Sequence, residues 1–227
     1  MSSPRPRRLL AAGGILAIPL ALSLAVRITP LAGKADTLPP PEQDIRNSPG
    51  ELKTAVFAGG CFWGMEAVFE SIRGVSDVVT GYAGGARETA RYGRVSSGST
   101  GHAEGIRITY DPDQVSYGQL LRVFFSVAHD PTQLNRQGPD VGPQYRSAIF
   151  TIDPAELRVA EMYIQQLDRQ GAFPTAIVTK VEASDAFYEA ESHHQNFVAR
   201  NPVHPYVVLH DLPKIAKLRS QLPELTR

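Results

Sequence analysis

The stretch from Ala55 to Gly64 holds the only cysteine and the only tryptophan of 227 residues, Cys61 and Trp63. An apolar run up to Ala58 predicts a short strand, and Gly59-Gly60 predicts that the strand breaks there. After the break, apolar residues recur at helical spacing and predict a helix with one buried face: Met65, Val68, Phe69 and Ile72. The start of a helix favours an anion, so Cys61 is predicted to be a reactive thiolate with a pKa below the free value of about 8.5.

The residue counts limit the classes of protein open to this chain. A chain of 227 residues accommodates one domain with a tail, or two small domains. Lys and Arg total 23, as do Asp and Glu, and the resulting zero net charge argues against a nucleic-acid partner. The single cysteine excludes a disulfide within the chain and any zinc site built from several thiolates. It leaves open a buried cysteine that only packs like an apolar residue.

Neighbouring residues narrow the chemistry of the cysteine. A phosphatase-type cysteine needs an arginine six residues later to hold phosphate, and that position is Ala67, so this class is excluded. His102-Ala103-Glu104 matches the His-x-Glu of zinc deaminases, but these enzymes also need downstream cysteines that the chain lacks. Six histidines leave open a histidine base, and with it a cysteine protease or transferase.

The order of predicted elements indicates the fold class. Strands are predicted at 53–58, 75–82, 106–110, 148–152 and 175–181. Helices are predicted from 62, 116 and 154, at 189–200 and, weakly, at 214–222. Because strands and helices interleave, we expect an α/β (α+β) domain, a two-layer sandwich in which helices cover a mixed sheet with a ferredoxin-like core.

The amino-terminal residues differ in composition from the rest of the chain. Arginines at 5, 7 and 8 precede an uncharged run from Leu9 to Val26, which is typical of a secretory signal or a short membrane anchor. We therefore expect residues 1–33 to be a signal peptide or anchor, and the folded domain to lie outside the cytoplasm, periplasmic or membrane-anchored. Residues 34–52 are predicted to be a flexible linker, 53–212 the folded domain and 213–227 a C-terminal tail.

Five short motifs occur in one order along the chain. They are Gly60-Cys61-Phe62-Trp63-Gly64, Gly81-Tyr82-Ala83-Gly84-Gly85, Gly101-His102-Ala103-Glu104, the run 130–138, and Gln144-Tyr145-Arg146-Ser147-Ala148. With them, residues 53–211 closely resemble peptide methionine sulfoxide reductase of type A, in a single-cysteine form. The resemblance implies an enzyme that reduces methionine S-sulfoxide, free or in oxidised proteins, through a cysteine thiolate and a sulfenic acid.

The resemblance implies a role for residues of the first and third motifs. Cys61 would attack the sulfoxide sulfur as the nucleophile. Glu104 matches the acid that protonates the sulfoxide oxygen, and apolar neighbours can raise the pKa of such a carboxyl. Phe62 and Trp63 would form the aromatic wall that binds the S-methyl group.

The remaining residues of the expected site are Tyr92 in a predicted surface loop at 84–101, Asp140 in a second predicted loop at 132–144, and Tyr145 directly after it. Tyr92 and Tyr145 match the family's hydroxyl donors, which polarise the S=O bond. Asp140 matches the carboxylate that orients the site through water or backbone groups. The resemblance implies no metal, flavin or nicotinamide cofactor, but an external thiol reductant such as a thioredoxin-like protein, glutathione or glutaredoxin.

Two departures from the family pattern stand out. His193-His194-Gln195-Asn196-Phe197 occupies the place of a usual Tyr-His-Gln with a later tyrosine, so hydroxyl groups expected there are missing. The chain also lacks the further cysteines with which many members recycle the first, so an outside thiol is expected to reset Cys61. We expect a monomer whose partners are oxidised proteins or peptides, free methionine sulfoxide and a thiol reductant protein. A thiol peroxidase and a catalytically silent sulfoxide-binding module are the alternative functions.

Overall fold

The computed structural model describes Met1, residues 37–45 and residues 50–227. Apart from Met1, the predicted signal peptide or anchor at 1–33 lies outside the described residues. Within the described part of the chain, no helix combines the length and the apolar character that crossing a membrane requires. The fold and the site are therefore built from residues 37–45 and 50–227.

Strands and helices alternate along the described residues, as the sequence predicts. The strands are β1 (Lys53–Gly59), β2 (Val75–Ala83), β3 (Ala103–Tyr110), β4 (Arg136–Gln137), β5 (Asp140–Val141), β6 (Ser147–Phe150), β7 (Lys180–Glu182) and β8 (Phe187–Glu189). The α-helices are α1 (Phe62–Glu70), α2 (Tyr92–Val95), α3 (Tyr117–Val123), α4 (Pro154–Arg169), α5 (Phe197–Arg200) and α6 (Leu212–Gln221). Two π-helical turns, Phe124–Ala128 and Val207–Asp211, follow α3 and precede α6.

The main sheet has six strands in the order β7-β6-β1-β3-β2-β8. Its four central strands are antiparallel and, with α1 and α3, have the β-α-β-β-α-β connection of a ferredoxin-like core. At one edge β7 pairs in parallel with β6, and at the other β8 pairs antiparallel with β2. The predicted mixed α/β architecture is confirmed.

Local sequence signals account for where two of the helices begin. Ser116 and Gln119 form a capping box: the Ser116 hydroxyl accepts the Gln119 N–H at 3.1 Å, and the Gln119 side chain accepts the Ser116 N–H at 2.8 Å. Asp153 accepts the N–H of Ala155 at 2.7 Å, and Pro154 occupies the first turn of α4. Both starts match the sequence prediction because capping is a local effect.

A cluster of buried side chains joins the sheet to α1, α3, α4 and α6. Phe57 of β1 is fully buried, and its ring centroid lies 5.8 Å from that of Phe69 and 5.0 Å from that of Phe124. Leu167 of α4 and Leu218 of α6 are also fully buried. Because each such side chain contributes about 1.5–3 kcal/mol on burial, this cluster holds α1 firmly on β1.

Two predicted elements near the end of the chain are wrong. Residues 175–179 form no strand, since Val178 donates its N–H to the carbonyl of Pro131 at 2.8 Å and pairing with β6 begins only at Lys180. The helix predicted at 189–200 is reduced to α5. Part of that range belongs to β8, and Asn196 just before α5 has a left-handed φ of 54° that interrupts a helix.

Residues 37–45, inside the predicted linker, lie against the domain and are called the strap here. The carbonyl of Pro39 accepts the Tyr163 hydroxyl at 2.7 Å, and the carbonyl of Leu38 accepts Nε–H of Arg122 at 2.8 Å. The Asp44 carboxylate accepts a backbone N–H of α3 at 2.9 Å. These contacts fix the strap across α3 and α4, so this part of the predicted linker is not free of the domain.

Residues 213–227, predicted to be a tail, also belong to the folded unit. Leu218 and Leu222 are fully buried, and Leu225 is nearly so. The carbonyl of Leu225 accepts the N–H of Arg73 at 2.8 Å, which ties the end of the chain to the loop after α1. The predicted boundary at residue 212 therefore falls within the packed domain.

Candidate active site

Cys61 lies at the turn between β1 and α1, where it is the N-cap residue of the helix. Gly60 precedes it with a φ of 92°, a conformation that other residues rarely adopt, and a side chain there would collide with Gln137. The glycine break read from the sequence is thus required by both the backbone and the packing. Cys61 is only 8% exposed, so its sulfur is reached through a narrow opening.

The predicted pKa of Cys61 is wrong in direction for the resting structure. Burial raises the pKa of the thiol well above its ordinary value, and the charge that Glu104 gains when it ionises raises it further. The backbone N–H of Trp63 acts in the opposite direction, as expected at a helix start, but it is outweighed. Cys61 is therefore a protonated thiol at neutral pH. The sequence pattern predicts the helix start but not the depth of burial.

Glu104 is the second residue of β3 and is only 2% exposed. Its carboxylate accepts the backbone N–H of Phe62 at 3.3 Å, the first N–H of α1. Burial raises the pKa of Glu104 to about 8, against the lowering effect of that hydrogen bond. Glu104 therefore carries a proton at neutral pH, as the resemblance implies for a general acid.

The central pairing of the sheet brings Cys61 and Glu104 together. β1 and β3 are antiparallel, with Phe57 opposite Ile106, so the end of β1 faces the start of β3. Cys61 follows the end of β1, and Glu104 stands near the start of β3. Both residues therefore lie at the ends of two central strands, each of which has a hydrogen-bonded neighbour on both sides.

A pocket of about 170 Å³ opens beside Cys61. All seven residues predicted from the sequence line it, together with one that was not predicted: Cys61, Phe62, Trp63, Tyr92, Glu104, Asp140, Tyr145 and Tyr206. Tyr92 begins α2, whereas Asp140 on β5 and the nearby Tyr145 come from a later part of the chain. The geometry thus gathers the predicted set, and the role of each residue stays a prediction.

The aromatic wall is larger than the sequence motif suggests. The ring of Trp63 stacks on Phe197 with centroids 3.7 Å apart and an angle of 8°. The indole N–H of Trp63 donates a hydrogen bond to Nδ1 of His194 at 3.2 Å, and the His194 ring lies 5.1 Å from that of Phe62. Phe197 stands where the family pattern has a tyrosine, and it supports the wall together with His194, which matches the histidine of that pattern.

Tyr206 is the lining residue that sequence reasoning missed. Its hydroxyl donates a hydrogen bond to the Asp140 carboxylate. Burial raises the pKa of Tyr206, as it also raises those of Tyr92 and Tyr145, so all three phenols keep their protons. No local pattern marks Tyr206, because it approaches the pocket only through the packing of the segment before α6. Tyr206 thus brings a hydroxyl group to the pocket, although Phe197 lacks the hydroxyl that the family pattern has at its position.

Glu191 positions the loop that carries Tyr92. Its carboxylate accepts the backbone N–H of Tyr92 at 2.9 Å and the hydroxyl of Tyr82 at 2.8 Å. Burial opposes ionisation of Glu191, but these hydrogen bonds dominate and lower its pKa. A charged Glu191 therefore holds Tyr92 at the pocket, although the Tyr92 side chain is 37% exposed.

The acidic and imidazole groups of the described residues form no cluster of three or more that would hold a metal ion. The chemistry available at the pocket is that of a thiol, a protonated carboxylic acid, two phenolic hydroxyl groups, and the Asp140 carboxyl group paired with the hydroxyl of Tyr206. Such a set can donate hydrogen bonds and a proton to an oxygen atom while sulfur attacks the atom bonded to it.

Comparison with known sequences identifies the family that the chain resembles. The profile of the family described as peptide methionine sulfoxide reductase matches residues 53–225. Peptide methionine sulfoxide reductase MsrA 2 of Synechocystis sp. is 56% identical over 205 residues, which cover 89% of this chain and 96% of the relative. The protein of the same name from Mesorhizobium japonicum is 53% identical over 182 residues, 80% of this chain and 93% of the relative.

Solved structures agree with the sequence comparison. Reduced Mxr1 from Saccharomyces cerevisiae has a TM-score of 0.62 and 34% identity, and the match covers 70% of this chain and 91% of Mxr1. Methionine sulfoxide reductase A of Corynebacterium diphtheriae has a TM-score of 0.58 and 35% identity, with coverage of 70% and 79%. The chain belongs to the peptide methionine sulfoxide reductase family and is an oxidoreductase that returns methionine S-sulfoxide to methionine.

Proposed function

We propose that Cys61 is the nucleophile and Glu104 the acid of this reaction. The sulfur of Cys61 attacks the sulfoxide sulfur while Glu104 gives its proton to the sulfoxide oxygen. The Glu104 carboxylate then takes the proton that leaves the thiol, so the acid is restored within the step. The hydroxyl then passes from the substrate sulfur to the Cys61 sulfur, and the bond between the two sulfurs breaks. Methionine leaves as the thioether, and Cys61 is left as a sulfenic acid. Two electrons pass from the cysteine sulfur to the substrate sulfur.

The hydroxyl groups of the pocket support the same step. Tyr92 and Tyr145 line the pocket as phenols and donate hydrogen bonds to the sulfoxide oxygen as its negative charge grows. Asp140 is held by the hydroxyl of Tyr206 and keeps the mouth of the pocket in place. The substrate is methionine S-sulfoxide, free or in a polypeptide.

The aromatic wall selects the substrate through its methyl group. Trp63, stacked on Phe197, presents a rigid apolar face to the pocket, and Phe62 lines the pocket with it. A sulfoxide sulfur must then meet Cys61 with its methyl against the rings and its oxygen toward Glu104. Because sulfur is a stereocentre, this arrangement accepts one epimer and rejects the other.

We infer that the sulfenic acid is reset by an outside thiol. The chain has no second cysteine, so no intramolecular disulfide can form. The sulfur of an incoming thiol bonds to the sulfur of Cys61, and the sulfenic hydroxyl leaves as water with the proton of that thiol. A second thiol, from the same donor protein or from another glutathione molecule, then attacks the donor sulfur of the mixed disulfide and releases reduced Cys61. A thioredoxin-like protein, glutathione or glutaredoxin fits this chemistry.

We also infer that the domain works outside the cytoplasm, as an exported or membrane-anchored protein. The support is the sequence of residues 1–33, in which three arginines precede a long uncharged run. In an oxidising compartment the identity of the thiol donor becomes important, because reduced glutathione is scarce there.

The observation that carries the proposal is that the single thiol and a protonated, buried Glu104 share one pocket with an aromatic wall. The direct test incubates the purified protein with dithiothreitol and dabsyl-methionine sulfoxide of each epimer. We expect reduction of the S-epimer only, and loss of it in Cys61→Ser. Equal reduction of both epimers, or activity in Cys61→Ser within tenfold of the parent, would contradict the proposal.

A further inference from the structure

A buried carboxylate beside the start of α1 has no part in the proposed reaction. Asp211 is fully buried, and among the described residues neither of its carboxyl oxygens has a hydrogen-bond partner. It ends the π-helical turn Val207–Asp211, and such turns are frequent at functional sites. Because a buried charge without hydrogen bonds is unfavourable, its presence calls for an explanation in the chemistry of its surroundings.

Gly64 allows Asp211 to approach the first turn of α1. A Cβ atom at position 64 would collide with Oδ1 of Asp211 and would lie 3.2 Å from Nζ of Lys214. Residues three apart are neighbours on one face of a helix, so Gly64 lies directly beyond Cys61. The carboxylate of Asp211 and the ammonium of Lys214 therefore flank the helical turn that begins at the nucleophile.

The charges of three carboxyl groups, which lie on three different elements, raise the pKa of the Cys61 thiol. They are Glu104 on β3, Asp140 on β5 and Asp211 on the π-helical turn. The pKa of Glu104 is raised to about 8, so that group is neutral at pH 7. Burial raises the pKa of Asp211 only to about 6, because Lys214 on α6 opposes the effect while Asp140 adds to it. Asp211 thus carries a negative charge under conditions in which Glu104 does not.

We propose that the charged Asp211 is a positioning residue that keeps Cys61 as a protonated thiol in the resting enzyme, and that Lys214 keeps Asp211 charged. A carboxylate and a thiolate beside the same helix start repel each other, so the charge of Asp211 raises the free energy of forming the thiolate. This restraint limits oxidation of a lone cysteine, since thiolates oxidise faster than thiols. The inference rests on the proposed function only in taking Cys61 as the nucleophile.

Alkylation of the purified full-length chain tests the proposal without any turnover. Because there is one cysteine, the pH dependence of its reaction with iodoacetamide, followed by intact mass, gives the thiol pKa directly. We expect Asp211→Asn to lower that pKa by about one unit or more, which speeds alkylation at pH 7 by about tenfold. Asp211→Glu keeps the charge and should move the pKa back toward the parent value. A thiol pKa in Asp211→Asn equal to or above that of the parent would overturn the proposal.

The matched control is Glu66→Gln. Glu66 is a second buried carboxyl, on α1 itself, but it accepts the backbone N–H groups of Asn196 and Phe197 instead of facing the thiol. Glu66→Gln should leave the pKa of the Cys61 thiol unchanged. If Glu66→Gln lowers that pKa as much as Asp211→Asn does, a specific role for Asp211 is overturned.

Two further measurements guard against a misfolded variant and separate this inference from the proposed function. If circular dichroism shows that Asp211→Asn is unfolded, the smaller Asp211→Ala replaces it with the same expectation. In the unmutated chain, an Asp211 carboxyl that NMR shows to be protonated at pH 7.5 overturns the proposal whatever the variants do. Turnover of dabsyl-methionine S-sulfoxide is measured alongside, so that normal reduction with an unshifted thiol pKa rejects the role of Asp211 and leaves the enzyme function intact.

Discussion

The indole N–H of Trp63 donates to Nδ1 of His194, 3.2 Å away, so the imidazole acts as an acceptor at that nitrogen. An imidazolium has no acceptor nitrogen, and burial lowers the pKa of His194, so the neutral ring required for this bond is the stable form. The bond fixes the rotation of Trp63 while Phe197 covers its opposite face. The orientation of the methyl-binding wall thus depends on residues more than 130 positions away in sequence.

Replacing Phe197 tests the substrate-binding part of this arrangement. Phe197→Ala should raise KM for dabsyl-methionine S-sulfoxide by about tenfold, with a smaller change in kcat, because the ring stabilises bound substrate without touching the transferred proton. Steady-state kinetics with dithiothreitol measure both constants. Phe173→Ala, a partly buried ring distant from the pocket, is the control. Equal effects of the two substitutions would show that the stack on Trp63 has no special role.

The pKa of Glu104 predicts a pH dependence of the reductive step. Above about pH 8 the carboxyl loses its proton in the folded enzyme, so the single-turnover release of methionine should fall as pH rises through that value. Glu104→Gln should slow this step by about 10² or more and should lack that fall. Glu156→Gln removes a carboxyl that also has a raised pKa but lies at the start of α4, and it should leave the profile unchanged. If Glu104→Gln releases methionine with the same pH dependence as the parent enzyme, Glu104 is not the general acid.

The hydrogen bond between Tyr206 and Asp140 predicts a contribution from a residue without a sequence signature. Tyr206→Phe leaves the ring in place and frees Asp140, so kcat should fall by about tenfold through poorer positioning of the site. Tyr163→Phe removes a comparable hydroxyl, one that binds the strap at Pro39, and should lower thermal stability with little change in kcat. A parent-like kcat in Tyr206→Phe would indicate that Asp140 needs no fixed partner.

The lone cysteine predicts the product of one turnover without reductant. One methionine should be released per chain, and dimedone should add once, at Cys61, because no other thiol in the chain can consume the sulfenic acid. Intact mass and peptide mapping identify the adduct. A disulfide between two chains in place of the adduct would show that Cys61 of a second molecule is the resolving thiol.

The composition of residues 1–33 predicts the compartment in which the folded domain works. Alkaline phosphatase fused after residue 52 should be active, since this reporter folds only where disulfides form. Replacing the arginines at 5, 7 and 8 by uncharged residues should weaken export, and a fusion lacking residues 1–33 should be inactive. Reporter protein confined to the cytoplasm by fractionation would contradict the assignment.

Local signals in the sequence predict most of the core elements and the surroundings of Cys61, whereas Glu104, Tyr92, Tyr145 and Asp140 are expected only from the family resemblance. The strand, glycine break and helix around Cys61 need only neighbouring residues, and so do the caps at Ser116 and Asp153. What the sequence misses depends on contacts between distant segments. Tyr206 reaches the pocket through the packing of the chain before α6, and the raised pKa of Cys61 arises from burial that no spacing pattern reports. The strap is missed because its polar, proline-rich composition is that of a linker.

The central position of β1 and β3 has a consequence for how the enzyme loses activity on heating. These strands have neighbours on both sides, whereas β7 and β8 lie at the edges and open more easily. Backbone amides of β1 and β3 should therefore exchange with deuterium only when the whole domain unfolds, and those of the edge strands should exchange earlier. Since Cys61 and Glu104 extend from the slowly exchanging pair, their mutual distance should survive every partial opening of the sheet. Fraying at the edges would then lower the affinity for substrate before it separates the nucleophile from its acid.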